Sequence, residues 1–328
     1  MQIAIDDGYA YTKLAWFEDG AIRTFGLRSS AQPGVHGVTN LDGEPVHAYE
    51  SDGQRFTVGP VLNPESTLFD EYPYSPLNRC IIHHALVEGG APVAEPIHAG
   101  LTLPMNVFYK IDGARGRRVD SLLTRPVKCV SKAGVVMPTF ASAKVFPEGA
   151  VAWIDAYVNE DGSETRPLDE IGPVAVVDIG GKTTDTAIFP RKGLIDQEKS
   201  GTDDVGVMTV MARVAAEVVK KFDIANIGSA QVERALRTGS VHIFGAKDIS
   251  GIVAAAKEQV ADEIWRALAR RLTNASEFEE ILFVGGGAEV LAEHLTNRKE
   301  FPLARVLPNP QFANARGVLK YMAYVDAE

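Results

Sequence analysis

The first thirty residues alternate between apolar and polar positions, as is typical of a small antiparallel sheet. Segments of this kind lie over 2–5, 11–17 and 21–27, and the polar turns 6–8 and 18–20 follow the first two. These signals predict three strands joined by tight turns.

A second strand–turn–strand unit follows some 170 residues later. Its strands are expected over 174–177 and 183–189, and the turn between them reads DIGGK. Because an acidic, glycine-containing turn follows the first strand in both places, the pattern suggests two structurally related halves.

Weaker patterns lie between these two units. A helix is expected over 77–88 and another over 150–158, with strands over 97–104, 127–136 and 143–146. Residues 29–76 are rich in Gly, Pro, Asp and Glu, with turns at 41–43 and 51–53, and predict an irregular surface insertion rather than core.

Two polar features of this region are interpreted as surface. The run GARGRRVD at 113–120 predicts a solvated loop. His83 and His84 are adjacent, so on a helix they do not face one ligand position, and a surface pair is expected. The three tryptophans share no spacing and are expected to be core or interface residues.

The second half has stronger helical periodicity. Amphipathic helices are expected over 205–222, with Asp203 or Asp204 as N-cap, and over 252–272. A strand over 280–284 runs through three glycines into a helix over 288–295, and a last helix covers about 313–324. The polar stretch 159–171 predicts a domain boundary. The expected divisions are 1–163, 164–312 and 313–328. The family resemblance described below implies a small insertion at about 30–95 in the first, an insertion at about 190–280 in the second, and a return of 313–328 to the first domain.

Composition and charge restrict the possible functions. Lys and Arg number 33 and Asp and Glu number 43, a formal net charge of −10, so direct DNA binding is not expected. The 328 residues suit two domains. Cys80 and Cys129 form no CxxC motif and are expected to be free thiols. Without a signal peptide or a membrane-spanning run, a cytoplasmic location with no membrane partner is expected.

The acidic turns are candidate phosphate sites. Glycines let the backbone approach a ligand, and consecutive N–H groups can bind one anion. Asp6 and Asp178 would lie at strand ends, where a hydrated Mg²⁺ could bridge them to phosphate. A single Asp-Gly hairpin is usually only a hairpin, and Gly285-Gly286-Gly287 could equally reflect tight strand–helix packing.

Five segments carry a family resemblance when taken in order. They are 5–13 (IDDGYAYTK), 147–157 (PEGAVAWIDAY), 177–185 (VDIGGKTTD), 284–290 (VGGGAEV) and 314–322 (NARGVLKYM). They resemble the two phosphate turns, two connecting helices and adenosine turn of the superfamily that contains actin, heat-shock chaperone ATPases and sugar kinases. Within it, the chain is most similar to the ParM (StbA) family of plasmid-segregation actins.

The resemblance implies an α/β, actin-like (ribonuclease-H-like) two-domain fold, with mixed sheets flanked by helices and nucleotide in the interdomain cleft. It implies an ATPase that polymerises with ATP and Mg²⁺ into dynamic filaments that segregate plasmid DNA, hydrolysis driving disassembly. The implied partners are other copies of the chain and a ParR-like DNA-binding adaptor on a centromere-like plasmid site. The resemblance does not decide whether the nucleotide is ATP or GTP. Two other functions on this scaffold also stay open, a non-polymerising ATPase clamp and a small-molecule kinase or phosphatase.

The resemblance also assigns residues. Glu148 and Asp178 would be catalytic, orienting the attacking water, and Asp6 and Asp178 would bind Mg²⁺ through water. The nucleotide-binding residues would be Asp7, Gly8, Tyr9, Ala10, Lys13, Gly180, Gly181, Lys182, Thr183, Gly285, Gly286, Gly287 and Ala288. The family has small or hydroxyl residues after the turn glycine, where this chain has Tyr9, Ala10 and Tyr11. Position 9 therefore offers no Ser or Thr hydroxyl to phosphate, and the contacts there would come from the backbone and Lys13.

Overall fold

A computed structural model describes residues 1–36, 47–59, 61, 64–92, 94–132, 134–272, 274–296, 298–299 and 301–325. The turn expected at 41–43 lies outside these residues. The strands are β1 (Gln2–Asp7), β2 (Tyr11–Glu18), β3 (Ala21–Arg28), β4 (Ala31–Pro33), β5 (Ala48–Ser51), β6 (Gln54–Val58), β7 (Ile97–Leu103), β8 (Lys128–Cys129), β9 (Phe140–Pro147), β10 (Val174–Ile179), β11 (Thr184–Phe189), β12 (Gly201–Asp203), β13 (Ser240–His242), β14 (Ala246–Asp248), β15 (Glu280–Val284) and β16 (Ala304–Val306).

The helices begin and end close to the expected positions in most cases. They are α1 (Pro76–Glu88), α2 (Met105–Phe108), α3 (Ala114–Thr124), α4 (Ala152–Tyr157), α5 (Val207–Phe222), α6 (Ser229–Thr238), α7 (Ser250–Arg271), α8 (Gly286–Leu295) and α9 (Ala313–Lys320), which continues as a π-helical turn over Tyr321–Val325. Among the helices of the described chain, none combines the length and apolar character that crossing a lipid bilayer requires.

The chain forms two compact units. The first contains Met1–Pro167 and Phe312–Glu328, and the second contains Leu168–Gln311. The division therefore falls four residues after the boundary expected from the polar stretch, and α9 belongs to the first unit.

Each unit is built on a five-stranded sheet of the same design. The strand order is β3-β2-β1-β7-β9 in the first and β12-β11-β10-β15-β16 in the second. In both, three antiparallel strands form a meander, and the remaining strands are added parallel to the first strand of the meander. The repeat predicted from the two acidic turns is thereby confirmed as a repeat of sheet topology.

Close packing of two helices supports the main sheet of the first unit. A side chain on Gly317 of α9 would collide with the backbone of Val151, so only glycine lets α9 approach the start of α4. Asp155 on α4 accepts hydrogen bonds from Arg316 at 2.6 Å and from Lys320 at 2.8 Å. These buried ion pairs fix the orientation of α4, which follows the turn that carries Glu148.

The prediction of an irregular surface insertion over 29–76 is wrong. β4, β6, β5 and β8 form a second sheet in the first unit, in that order. Its inward side chains, among them Tyr49, Phe56 and Val58, pack on Leu77 and Ile81 of α1 in a buried apolar cluster. The strands are three to five residues long apart from the two-residue β8, too short to show alternation beside so many turn residues. The strand expected over 127–136 is reduced to β8.

Two further expectations for this region are corrected. The run at 113–120 lies largely in α3, and Arg118 is fully buried there. His83 and His84 are buried rather than a surface pair, and burial lowers the pKa of each to about 4. Burial also raises the pKa of the Cys80 thiol to about 12, so this free thiol stays protonated.

The second unit has a large apolar core. Helices α5, α7 and α8 pack against each other around buried residues such as Val214, Ile264 and Phe283. Trp265 lies in this core, and Trp16 and Trp153 are buried in the first unit, so the core reading of the tryptophans is confirmed. Sequence periodicity did not reveal α6 or the β13–β14 hairpin.

Candidate functional site

The turn between β1 and β2, here turn one, has its carbonyl oxygens held by its own unit. Gly8 O accepts a hydrogen bond from Ser29 Oγ at 2.8 Å, Tyr9 O from Thr67 Oγ1 at 2.6 Å, and Ala10 O from the Ser29 N–H at 2.9 Å. In a trans peptide the N–H points opposite to the carbonyl. The N–H groups that follow these carbonyls therefore point away from Ser29 and Thr67, as an anion-binding turn requires.

Asp6 is paired with Lys13 across the hairpin. The two residues are directly opposite in the register of β1 and β2, and Lys13 Nζ lies 2.7 Å from Asp6 Oδ2. The carboxylate is 3% exposed and the lysine 14%, so this pair is largely shielded from solvent. The predicted phosphate contact Lys13 and the predicted metal contact Asp6 thus form an ion pair with each other.

Thr102 joins Asp6 to Glu148. Its hydroxyl lies 3.3 Å from Asp6 Oδ1 and 3.4 Å from Glu148 Oε1. A hydroxyl has one hydrogen to donate, so it can satisfy only one of the two carboxylates at a time. The arrangement brings two acidic groups next to turn one, where a hydrated cation or a water could bind between them.

Glu148 is held at its backbone by β7. Its N–H donates to Leu103 O at 2.9 Å, and the next residue, Gly149, has φ +74° and donates to Asn314 Oδ1 at 3.0 Å. The left-handed conformation favours glycine at this point. The half-buried carboxylate therefore extends from a backbone that β7 holds on one side and α9 holds on the other.

The side chain of Asp7 takes part in a different, buried network. Its Oδ2 accepts a hydrogen bond from Asn78 Nδ2 at 2.6 Å and lies 2.7 Å from Arg118 Nη2. Arg118 Nη1 donates a hydrogen bond to Pro73 O. A role for Asp7 in nucleotide binding would accordingly be carried by its backbone, while its side chain fixes turn one to α1 and α3.

The turn between β10 and β11, here turn two, caps a helix. Gly180 O and Gly181 O accept hydrogen bonds from the N–H groups of Val207 and Met208 at 3.1 and 2.9 Å. Any side chain on Gly206 would collide with these two carbonyls. The prediction that Asp203 or Asp204 caps this helix is therefore wrong, because backbone carbonyls accept hydrogen bonds from the first N–H groups of α5.

As in turn one, these carbonyls are held by the unit itself. The N–H groups of Gly181 and Lys182 consequently point away from α5. Thr183, at the end of the turn, donates to Asp185 Oδ2 at 3.4 Å, and its own carbonyl accepts from the Gly180 N–H at 2.8 Å. Thr183 therefore supports the shape of the turn.

Two acidic residues face each other beside turn two. Asp178 and Asp185 are directly opposite in the register of β10 and β11, so their side chains share one face of the sheet. Both are buried, 6% and 2% exposed. Thr202 donates to Asp185 Oδ1 at 2.5 Å. Like charges in such a position repel, which makes this pair a fitting place for a divalent cation.

The three glycines after β15 have different roles. Gly285 has φ +84°, and a side chain there would collide with Asp178 Oδ1. A side chain on Gly287 would collide with Ile179. At Gly286 the nearest atom, Gln311 Cβ, would lie 4.0 Å away. Tight strand–helix packing thus explains Gly285 and Gly287, and only Gly286 leaves room for a ligand.

The structure groups the predicted residues by unit. Asp6, Lys13 and Glu148 come together around Thr102 in the first unit, and Asp178 contacts the glycine turn in the second. Ala288 is fully buried in α8, so its side chain is core. Sequence reasoning missed Thr102. Thr102 could have been found from its position near the end of a buried strand parallel to β1. The ends of parallel strands meet at one edge of a sheet, which brings this residue close to Asp6.

Two family models match the chain. The model described as plasmid segregation protein ParM, N-terminal, matches residues 1–157, and the one described as archaeal actin homologue MreB-like, C-terminal, matches residues 176–297. No curated protein sequence matches the chain.

Solved structures resemble the chain over nearly its whole length. One is a non-polymerisable quadruple mutant of pCBH ParM, with 22% identity, 98% of both chains covered and a TM-score of 0.79. Another is a 15-stranded ParM filament from Clostridium botulinum, with 21% identity, 98% of both chains covered and a TM-score of 0.78. A third is an archaeal actin homologue in complex with ADP, with 18% identity, 98% of this chain and 99% of that chain covered and a TM-score of 0.78. With the two family matches, these likenesses show that the chain has an actin-like fold, with an N-terminal segment that matches the ParM family model and a C-terminal segment that matches the MreB-like one.

Proposed function

We propose that this protein is an ATPase that polymerises when it binds Mg-ATP and whose filaments segregate plasmid DNA. The observation that carries the proposal is the Asp6–Thr102–Glu148 arrangement, which holds two carboxylates beside turn one. The N–H groups of that turn point away from the residues that hold its carbonyls. The proposal is supported by the likeness to a ParM filament and to an actin homologue that binds ADP.

Phosphoryl transfer to water needs charge neutralisation, positioning and an oriented nucleophile more than covalent chemistry. In the proposed reaction the N–H groups of the two turns bind phosphate oxygens. Lys13 exchanges part of its contact with Asp6 for a phosphate oxygen. Glu148 accepts a hydrogen bond from the attacking water and orients it for attack.

The residues present fit a Mg²⁺ ion. Mg²⁺ prefers oxygen ligands and usually keeps several waters, so few protein carboxylates are needed. Asp6 and Asp178 would contact its water shell, and the buried Asp178–Asp185 pair provides negative charge that a cation would compensate. When bound, the ion neutralises developing charge on the phosphate oxygens.

Assembly and disassembly would follow the nucleotide state. Bound ATP would favour the conformation that fits a polymer, and hydrolysis would remove that preference. DNA would be reached through a ParR-like adaptor, because a net charge of −10 opposes direct binding. A non-polymerising ATPase clamp and a small-molecule kinase are the other functions open to this scaffold.

Glu148→Gln tests the role of the carboxylate directly. We expect hydrolysis to slow by about 10²–10⁴-fold while ATP binding stays nearly unchanged. Phosphate release, titration with a fluorescent ATP analogue and light scattering would be measured on the same samples. Filaments of the variant should form with ATP and persist, since disassembly requires cleavage.

Two further variants sharpen this experiment. Glu95→Gln, an exposed residue of the same unit, is the matched control and should behave as the wild type. Asp178→Asn should weaken Mg-ATP binding as well as slow hydrolysis. If Glu148→Gln hydrolyses ATP at the wild-type rate, Glu148 has no part in the mechanism. If the wild type stays monomeric with ATP or a non-hydrolysable analogue, it is not a polymerising protein.

A further inference from the structure

His47, His84 and Glu88 form a cluster of metal-ligating side chains in the first unit, outside the turns. Each offers one nitrogen or oxygen atom, and these atoms all lie within 4.8 Å of one another. His47 Nδ1 lies 3.1 Å from Glu88 Oε1. None of the three residues is used in the proposed reaction.

We propose that His47, His84 and Glu88 bind a transition-metal dication of the zinc type. Two imidazoles and one carboxylate form a ligand set that Zn²⁺ accepts, with a water in the fourth position. Imidazole nitrogen is a poor ligand for Mg²⁺, which prefers oxygen. The site would therefore discriminate against the cation that accompanies ATP.

Secondary structure places the three ligands together. His84 and Glu88 are four residues apart on α1 and therefore share one face of the helix. His47 directly precedes β5, which packs against α1. Two ligands are thus fixed by one helix, and the third comes from the neighbouring sheet.

A buried tyrosine orients one ligand. Tyr49 Oη lies 3.2 Å from His84 Nδ1, and Tyr49 is fully buried. With Nδ1 engaged in this way, Nε2 is the nitrogen that His84 can offer to a cation. A partner on the second ring nitrogen is the usual means by which proteins orient a ligating histidine.

Only small movements are needed to close the site. With metal–ligand bonds of about 2.1 Å, ligand atoms in tetrahedral geometry lie about 3.4 Å apart. The Glu88 side chain is 45% exposed and can rotate toward the two imidazoles. The cation would lie between His47 Nδ1 and Glu88 Oε1 and would tie β5 to α1.

Zinc titration of the folded chain without added nucleotide tests the proposal. Calorimetry should show one Zn²⁺ bound per chain, no comparable binding of Mg²⁺, and a higher melting temperature with Zn²⁺ than with a chelator. Glu88→Gln and His47→Ala should each weaken zinc binding by about tenfold or more. Because Glu88 is largely exposed, Glu88→Gln should keep the fold, which circular dichroism would verify.

His242→Ala is the matched control. His242 is an exposed histidine of the second unit, so its loss should leave zinc binding unchanged. Zinc binding that is equally strong in Glu88→Gln and His47→Ala, or that falls equally in His242→Ala, would overturn the proposal. The absence of stoichiometric binding to the wild type would overturn it as well. None of these outcomes depends on ATP hydrolysis, so they do not bear on the proposed ATPase.

Discussion

Turn one and turn two occupy the same place in two equivalent sheets, but different forces hold them. After the first aspartate of each turn, the first unit has Asp7 and the second has Ile179. Asp7 is bound by Arg118 and Asn78, whereas Ile179 is fully buried against Gly287. A buried charge network therefore fixes turn one, and close apolar packing fixes turn two.

The residues opposite the first aspartate differ as well. Lys13 lies opposite Asp6, and Asp185 lies opposite Asp178. The first pair is neutral as a whole, while the second carries excess negative charge if both groups are ionised. The same topology thus yields one turn that supplies its own cation and one that is suited to receive a cation. In the proposed function, this difference would suit turn one to phosphate and turn two to the hydrated cation.

Arg118→Met should have the largest effect on stability. It removes the buried cation and leaves the Asp7 carboxylate without its charge partner, which typically costs about 3–5 kcal/mol. Urea unfolding would measure the change. Arg117→Ala is the control, because Arg117 forms an exposed ion pair with Glu71 and should lose at most about 1 kcal/mol. Equal effects for the two arginines would show that turn one is not held by charge.

Gly285→Ala should cause the next largest loss of stability. Alanine at φ +84° is strained, and its Cβ would press on Asp178, so we expect a loss of about 2–4 kcal/mol. Gly286→Ala should change stability by less than about 1 kcal/mol, because it has space and lies in the first turn of α8. Thermal unfolding would separate the two.

The same pair of variants reports on nucleotide binding. If the backbone at Gly286 approaches the nucleotide, Gly286→Ala should weaken binding of a fluorescent ATP analogue while the protein stays folded. Unchanged binding in this variant would mean that the three glycines serve packing alone.

Lys13→Met removes a positive charge beside turn one, whereas Asp185→Asn removes a negative charge beside turn two, so the two variants should affect stability differently. Lys13→Met leaves the buried Asp6 without its ion-pair partner and should cost about 1–3 kcal/mol. Asp185→Asn relieves repulsion and should change stability by less than about 1 kcal/mol. In a Mg²⁺ titration with nucleotide, Asp185→Asn should need more Mg²⁺ for half-maximal binding. An unchanged Mg²⁺ requirement would remove Asp185 from the cation site.

Local patterns predicted much of the two main sheets. The strands on either side of each acidic turn, the strand before the three glycines and the helices α1, α5 and α7 lie close to their expected positions. These elements carry strong alternation or helical periodicity, and their ends are marked by turn residues. The family resemblance added the assignment of Glu148, which local pattern alone would describe only as an acidic residue near a helix start.

What the sequence alone determined was the repeated hairpin, the excess of acidic residues and the order of the five segments, because each depends on neighbouring residues or on composition. Only the tertiary structure decided that Arg118 is a buried partner of Asp7 rather than a loop residue, and that Thr102 links Asp6 to Glu148. It also brought His47 to His84 and Glu88. These contacts join residues about 35 to 110 positions apart, and long-range pairing is set by how whole sheets and helices pack, which no local pattern records.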